Sequence, residues 1–156
     1  MKVFRAPLKN KDQTGSAMHK MTRATAGDLR RMKFQYNGKV ITGYDLPLRA
    51  WFDFVRCIPY RADPKPREII ARPAHIARFC GLGADCKKKA IMIAAWLQAH
   101  DVPWRFVASS RRRDKKKHHV YPQGKISGDW LTLDATYKHY YPGMRKKNTA
   151  EEILKG

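Results

Sequence analysis

Three residues in the second half of the chain have the types needed for nucleophilic chemistry: Cys86, His119 and Asp134. Cys86 follows Asp85, a typical helix N-cap residue, so the thiol is expected at the first position of a helix. Helix N-termini and neighbouring cations lower the pKa of a thiol from about 8.5, and the thiolate is the nucleophilic form. The backbone N–H of Cys86 would also be free to bind an oxyanion. A buried, inert thiol is the alternative, because free cysteines are among the most buried residues.

The elements around Cys86 follow from hydrophobic patterning. Residues 90–97, AIMIAAWL, are apolar on every side, which predicts a helix buried in the centre of a domain. Residues 104–110, WRFVASS, are typical of a strand. A second strand is expected to begin in HHVYPQ (118–123), and a third lies in GDWLTLDATY (128–137) after a turn. The sequence therefore predicts a buried helix followed by antiparallel strands.

This order takes Cys86, His119 and Asp134 from three separate elements, which is the general arrangement of a nucleophile, a base and an orienting acid. Two adjacent histidines compete for the role of the base. Side chains alternate along a strand, so His119 shares a face with Tyr121, and His118 should point to the opposite face. We therefore favour His119.

Four segments together resemble the transglutaminase-like cysteine domain: RCIPYRADP, ARPAHIARFCGLGADCKKKAIMIAAWLQAHDVPWRFVAS, HHVYPQ and GDWLTLDAT. The family pattern has glycine, an acid and cysteine on a helix, a histidine followed by a small residue and an aromatic, and tryptophan before an aspartate. The resemblance covers roughly residues 45–137. It implies an α+β, transglutaminase-like (papain-like) core in which a buried Cys-bearing helix packs on an antiparallel β-sheet.

The resemblance implies that Cys86 is the nucleophile, His119 the base and later the acid, and Asp134 the residue that fixes the imidazole. The implied reaction is acyl transfer from a peptide or carboxamide carbonyl, either to water (peptidase or amidase) or to a lysine amine (protein crosslinking). A protein or peptide substrate and no cofactor are expected. Two departures from the family pattern are an alanine between the glycine and Asp85, and lysines after the cysteine, where acidic residues are common.

The charge of the chain suggests a second kind of function. Lys and Arg number 33 against 13 Asp and Glu, which gives a net charge of +20 and favours a nucleic acid or an acidic protein as partner. We expect nine cations to form a basic rim around the site: Lys87, Lys88, Lys89, Arg111, Arg112, Arg113, Lys115, Lys116 and Lys117. The alternative function is a basic virion-structural or nucleic-acid-binding protein that retains the fold with little or no catalysis.

Length and composition favour one globular domain in 156 residues. Residues 1–33 are interpreted as a basic N-terminal arm or lead-in, and residues 34–156 as the transglutaminase-like domain with a short C-terminal tail. A hairpin is expected at Asn37-Gly38, a helix before Pro59, and a short C-terminal helix with Thr149 as its N-cap.

The expected location is the bacterial cytoplasm or a virion. The histidine strand of HVY type resembles copies encoded by bacteriophages, which implies virion components as partners. The chain opens without the apolar core of a signal peptide, and no apolar run approaches the 18 residues of a membrane span. A metal site is not expected, because the cysteines form no C-x-x-C pair.

Overall fold

The computed structural model describes residues 3–6, 11–64 and 68–156, and the protein has a mixed α+β fold. In chain order the elements are β1 (Val3–Ala6), α1 (Lys11–Thr25), β2 (Lys33–Tyr36), β3 (Lys39–Thr42), α2 (Leu48–Cys57), β4 (Glu68–Ala71), α3 (Pro73–Arg78), α4 (Cys86–Ala99), β5 (Trp104–Ser110), β6 (His119–Ile126), β7 (Asp129–Thr132) and β8 (Ala150–Leu154). Short 3₁₀ helices cover Ala26–Arg30 and Cys80–Leu82.

Helix α4 is the centre of the molecule. The expected buried helix is confirmed, because Ile91, Met92 and Ile93 are completely buried. The helix contacts the main sheet through β6 and also packs against α1 and α2. The indole N–H of Trp51 on α2 donates a 2.9 Å hydrogen bond to the carbonyl oxygen of Met92, which ties the two helices together. None of the described helices is long and apolar enough to cross a membrane.

The main sheet has four antiparallel strands in the order β7-β6-β5-β8. Ser109 pairs with His119, so the end of β5 and the first residue of β6 lie side by side. The turn between β6 and β7 uses Ser127 and Gly128, which both have positive φ angles, of 52° and 86°. The start of β6 and the end of β7 therefore lie at the same end of this sheet.

The C-terminal segment is a strand, so the prediction of a short helix with Thr149 as its N-cap is wrong. Strand β8 pairs with β5 along the edge that β6 leaves free. Thr149 begins this pairing: its N–H and its hydroxyl both donate to the carbonyl oxygen of Ser110, at 2.8 and 3.0 Å. A partner distant in sequence therefore overrides the local helix signal.

The described part of the expected N-terminal arm packs on the domain. Helix α1 contacts α4, and its Met18 is fully buried. Gly15 is the residue that weakens the helical pattern, and it lies against β8: a Cβ at this position would be 3.2 Å from the Cβ of Leu154. The glycine permits a close approach that the sequence alone does not reveal.

Two local predictions are confirmed in the first half of the chain. Strands β2 and β3 form the expected hairpin, with Asn37 and Gly38 at positive φ angles of 48° and 76°, as a tight primed turn requires. Helix α2 ends at Cys57, before Pro59, and buries Trp51 and its apolar neighbours. Neither element contributes a predicted site residue, but α2 fixes the position of α4.

Candidate active site

Cys86 lies at the first position of α4, as predicted. Asp85 caps the helix, because its side chain accepts a 3.0 Å hydrogen bond from the backbone N–H of Lys88. A residue at the first helical position has no intrahelical acceptor for its own N–H, so the N–H of Cys86 is available to an oxyanion. Cys86 is only 9 % exposed and packs at the edge of the hydrophobic core.

The conformation of the loop that precedes Cys86 depends on Gly83, whose φ of 81° is in the left-handed region. A Cβ at this position would lie 2.8 Å from the Cβ of Arg61 and 2.9 Å from the carbonyl oxygen of Pro59. The close approach lets Ala84 form two backbone hydrogen bonds, donating to Pro59 at 2.9 Å and accepting from Arg61 at 3.1 Å. Tyr60 is consequently held beside the N-terminus of the Cys helix.

His119 and Asp134 come from the neighbouring strands β6 and β7. His119 is the first residue of β6, Asp134 follows the end of β7, and Nε2 of His119 lies 2.7 Å from Oδ2 of Asp134. The other carboxylate oxygen, Oδ1, accepts hydrogen bonds from the backbone N–H and the hydroxyl of Thr136, at 3.1 and 2.5 Å. Asp134 is thereby fixed, and it holds the imidazole in one orientation. His118, the competing histidine, is exposed.

Cys86 is a neighbour of His119, because its thiol contributes to the raised pKa of the imidazole. Because Asp134 occupies Nε2, the nitrogen available to the sulfur is Nδ1. Burial lowers the pKa of His119, but the hydrogen bonds to Asp134 and Cys86 and the negative charges of both outweigh it and raise the pKa to about 9. The imidazole is therefore protonated at pH 7 and can act as a general acid toward a leaving group.

Lys87 and Lys88 do not form part of a free basic rim, which corrects the expectation for both. Their side chains are 13 % and 15 % exposed. Lys88 Nζ lies 2.7 Å from Oδ1 of Asp63, and Lys87 Nζ pairs with Asp85 and lies 3.7 Å from Oδ2 of Asp63. The two carboxylates compensate the cations, so these lysines do not carry the penalty of free positive charge at a helix N-terminus.

Lys89 is not on the surface either, which is a further correction. It is 1 % exposed, and its Nζ donates to the carbonyl oxygens of Ile58 and Thr136 at 2.5 and 2.7 Å. Burial lowers the pKa of Lys89 to about 8, against the opposing effect of the Asp134 charge. The sequence contains the signal for this burial: on a helix that is apolar on all sides, a residue three positions after Cys86 has no solvent face.

The other six cations of the expected rim lie in the loop between β5 and β6, residues 111–117. All are exposed except the half-buried Lys117. In the part of the chain that the structure describes, none of the six forms an ion pair. Arg111 lines a small recess together with His119 and Asp134, so this part of the predicted rim borders the site.

Two tyrosines that sequence analysis does not assign to the site flank Cys86. Tyr60 and Tyr137 are 45 % and 36 % exposed, and their ring centroids are 5.2 Å apart. Burial raises the pKa of both phenols, and the negative charge of Cys86 raises both further. Tyr60 reaches this position only through the pairing with Ala84, a contact that no local pattern predicts.

No group of three or more His, Cys, Asp or Glu side chains in the described ranges is arranged to hold a metal ion. The three cysteines, Cys57, Cys80 and Cys86, are all free thiols.

No protein-family model matches this sequence, and no curated protein matches it. Among solved structures, the chain is similar to one described as a "putative cysteine protease" from Cytophaga hutchinsonii, with 13 % sequence identity and a TM-score of 0.44. The similarity covers 96 % of this chain but only 52 % of that one, so this chain spans about half the length of the solved protein.

Proposed function

We propose that this protein is a cysteine-dependent acyl-transfer enzyme of the transglutaminase-like class, acting as a peptidase or amidase or as a protein crosslinking enzyme. One observation carries the proposal: Cys86 lies at a helix N-terminus near the His119 imidazole, whose Nε2 is 2.7 Å from the Asp134 carboxylate. The order of the sequence segments that resemble this family supports the same assignment.

In the first half of the reaction, the Cys86 thiolate attacks the carbonyl carbon of an amide. A C–S bond forms, the carbonyl π electrons move to oxygen, and the backbone N–H of Cys86 is placed to donate to that oxyanion. The intermediate collapses as the C–N bond breaks, and His119 gives its Nδ1 proton to the leaving amine. The products are an acyl-enzyme thioester and a neutral imidazole.

In the second half, neutral His119 removes a proton from water or from a primary amine as that molecule attacks the thioester carbonyl. The C–S bond breaks, the thiolate returns, and the protonated imidazole is regenerated. Water yields a carboxylic acid, and an amine yields a new amide. Asp134 remains ionised throughout and stabilises the imidazolium form of His119.

The experiment that tests this function is detection of the acyl-enzyme. The protein is mixed with glutamine-containing peptides, and the intact mass is followed with and without added ethylamine. We expect an acyl adduct on Cys86 and release of ammonia or an amine, both abolished in Cys86→Ala. Conversion of the peptide to its ethylamide would identify a transferase, and conversion to the free acid a hydrolase. Equal product formation by Cys86→Ala would overturn the proposal.

A second candidate function is supported by the six cations of the 111–117 loop, five of them exposed, none of which forms an ion pair within the described ranges. They suit a basic binding protein that contacts nucleic acid or an acidic protein and needs no catalysis. Duplex DNA should then bind with an affinity that falls steeply with salt, and charge reversal of Arg111, Arg112 and Arg113 should abolish binding while Cys86→Ala leaves it unchanged. An affinity that does not change with salt would exclude this candidate.

A further inference from the structure

A cavity of about 490 Å³ opens beside the candidate nucleophile, between the end of α2 and the segment that follows Asp134. This volume is within the range of small-molecule and side-chain binding pockets, about 300–1,000 Å³. Its walls include the rings of Tyr60 and Tyr137, and Lys89 and Lys138 also line it. The cavity is thus large enough to take one substrate side chain.

The cavity is adjacent to the site of attack. Lys89 lies three residues after Cys86 on α4, so the two side chains project from the same face of the helix. Tyr60 lines the cavity, and its backbone pairs with Ala84, two residues before Cys86; Tyr137 also lines the cavity, with its ring centroid 5.2 Å from that of Tyr60. A substrate with its carbonyl carbon at Cys86 would therefore have a neighbouring side chain within reach of the cavity.

The charges that line the cavity are all of one sign. The cations are Arg56, Lys89 and Lys138, and no carboxylate lines it. Arg56 is neutralised from outside by Asp53, at 2.7 Å, whereas no carboxylate within the described ranges pairs with the other two cations.

Lys89 is the most informative of these cations. It is buried, and its ammonium donates to the carbonyl oxygens of Ile58 and Thr136. Burial of an ammonium is unfavourable and lowers the Lys89 pKa to about 8, although the Asp134 charge opposes this. A carboxylate that enters the cavity would add a second negative charge near the ammonium.

We propose that this cavity is a specificity pocket for an acidic side chain of the peptide substrate, with the carboxylate bound by Lys138 between the two tyrosine rings and attracted by the positive charge of the buried Lys89. The proposal rests on the proposed function, since it places the scissile amide at Cys86. A free phosphate or a nucleotide offers the same anionic chemistry. We favour a peptide carboxylate because only a peptide also presents a carbonyl carbon to the thiolate.

The kinetic test uses two matched peptides that differ in one residue next to the scissile amide, glutamate in one and glutamine in the other, with the residue placed on either side of the bond in turn. The wild type should process the glutamate peptide with a kcat/KM about tenfold higher, the size expected for one close charge pair. Lys138→Glu should remove the preference, and Lys89→Met should reduce it. Lys39→Glu, which makes the same charge change on the β2–β3 hairpin, should leave the preference intact.

The binding test does not depend on turnover. A fluorescent form of each peptide is titrated into Cys86→Ala, and inorganic phosphate is used as a competitor. Tighter binding of the glutamate peptide, lost in Cys86→Ala with Lys138→Glu, supports the pocket even if the wild type shows no hydrolysis. Hydrolysis with equal kcat/KM for both peptides contradicts the pocket and leaves the proposed function standing. Displacement by phosphate at lower concentration than by the glutamate peptide would also overturn the proposal.

Lys138→Glu is the decisive variant, because Lys138 is exposed and its substitution leaves the core unchanged. Lys89→Met leaves two buried carbonyl oxygens without a donor, and its free energy of unfolding should be measured alongside its kinetics.

Discussion

Asp134 is the residue that connects the fold to the chemistry. One carboxylate oxygen contacts His119 and the other accepts two hydrogen bonds from Thr136. The carboxylate that orients the imidazole is therefore itself fixed in position. Lys89 adds to this arrangement, because its ammonium binds the carbonyl oxygen of Thr136 and its charge acts on Asp134. A single buried lysine thus supports the segment that carries the acid.

The first prediction at this scale concerns Asp134→Asn. Loss of the carboxylate charge removes the main support for the His119 imidazolium, so we expect kcat for acyl transfer to fall by at least about 10²-fold. Steady-state kinetics on a peptide substrate measure the effect, and an unchanged unfolding transition serves as the control for folding. A variant with wild-type kcat would show that Asp134 is merely structural.

A second prediction concerns pH. The pKa of His119 is raised to about 9, so the imidazolium that protonates the leaving amine is present below that pH and is lost as the pH rises through it. We expect kcat/KM to fall above about pH 9, whereas the rate of Cys86 alkylation, which needs only the thiolate, should not fall. A decrease in both rates at the same pH would contradict the assignment of the high-pH loss of activity to deprotonation of His119.

At the scale of the elements, the loop before α4 sets the position of the nucleophile. Gly83 adopts a φ of 81° and lies so close to Pro59 and Arg61 that a side chain does not fit. The pairing that this contact permits brings Tyr60 to the site.

We therefore expect Gly83→Ala to lower the free energy of unfolding by at least about 1 kcal/mol, since a strained backbone and a steric clash are combined there. It should also slow alkylation of Cys86. Gly81→Ala is the matched control, because a Cβ at Gly81 meets nothing within 4 Å. Urea denaturation of both variants measures the difference, and equal stabilities would show that the loop tolerates a side chain at Gly83.

Strand β8 offers a similar comparison of adjacent residues. Leu154 is 5 % exposed and packs against α1 at Gly15, whereas Ile153 is 45 % exposed. Leu154→Ala should cost about 2–5 kcal/mol of unfolding free energy, and Ile153→Ala much less. Similar losses for both variants, measured by urea denaturation, would mean that β8 does not pack as described.

At the scale of the whole molecule, the elements with strong local patterns were predictable, and those that depend on distant partners were not. The all-apolar stretch of α4 and the Asn37-Gly38 turn specify their own structure. Strand β8 becomes a strand only because β5 has a free edge, and α1 packs closely only because Gly15 meets Leu154. Long-range pairing of this kind leaves little trace in a local sequence window.

The candidate site shows the same division. The types and order of Cys86, His119 and Asp134 could be read from the sequence, and the structure places His119 Nε2 2.7 Å from Asp134 Oδ2 and Cys86 at the start of α4. The compensation of the lysines after Cys86 was not predictable, because Asp63 reaches them from a separate loop. The positive charge that remains near the site is therefore in the 111–117 loop, which precedes His119, and in the cavity that Lys89 and Lys138 line.

The central claim is that Cys86 is an activated nucleophile, and selective alkylation tests it most directly. The protein is treated briefly with iodoacetamide at pH 7, and each cysteine is quantified by peptide mass spectrometry. Cys57 is exposed and Cys86 is buried, so accessibility alone would label Cys57 first. We predict that Cys86 is labelled faster than Cys57 in the wild type and slower than Cys57 in His119→Ala. Labelling of Cys86 at or below the rate of Cys57 in the wild type would contradict it.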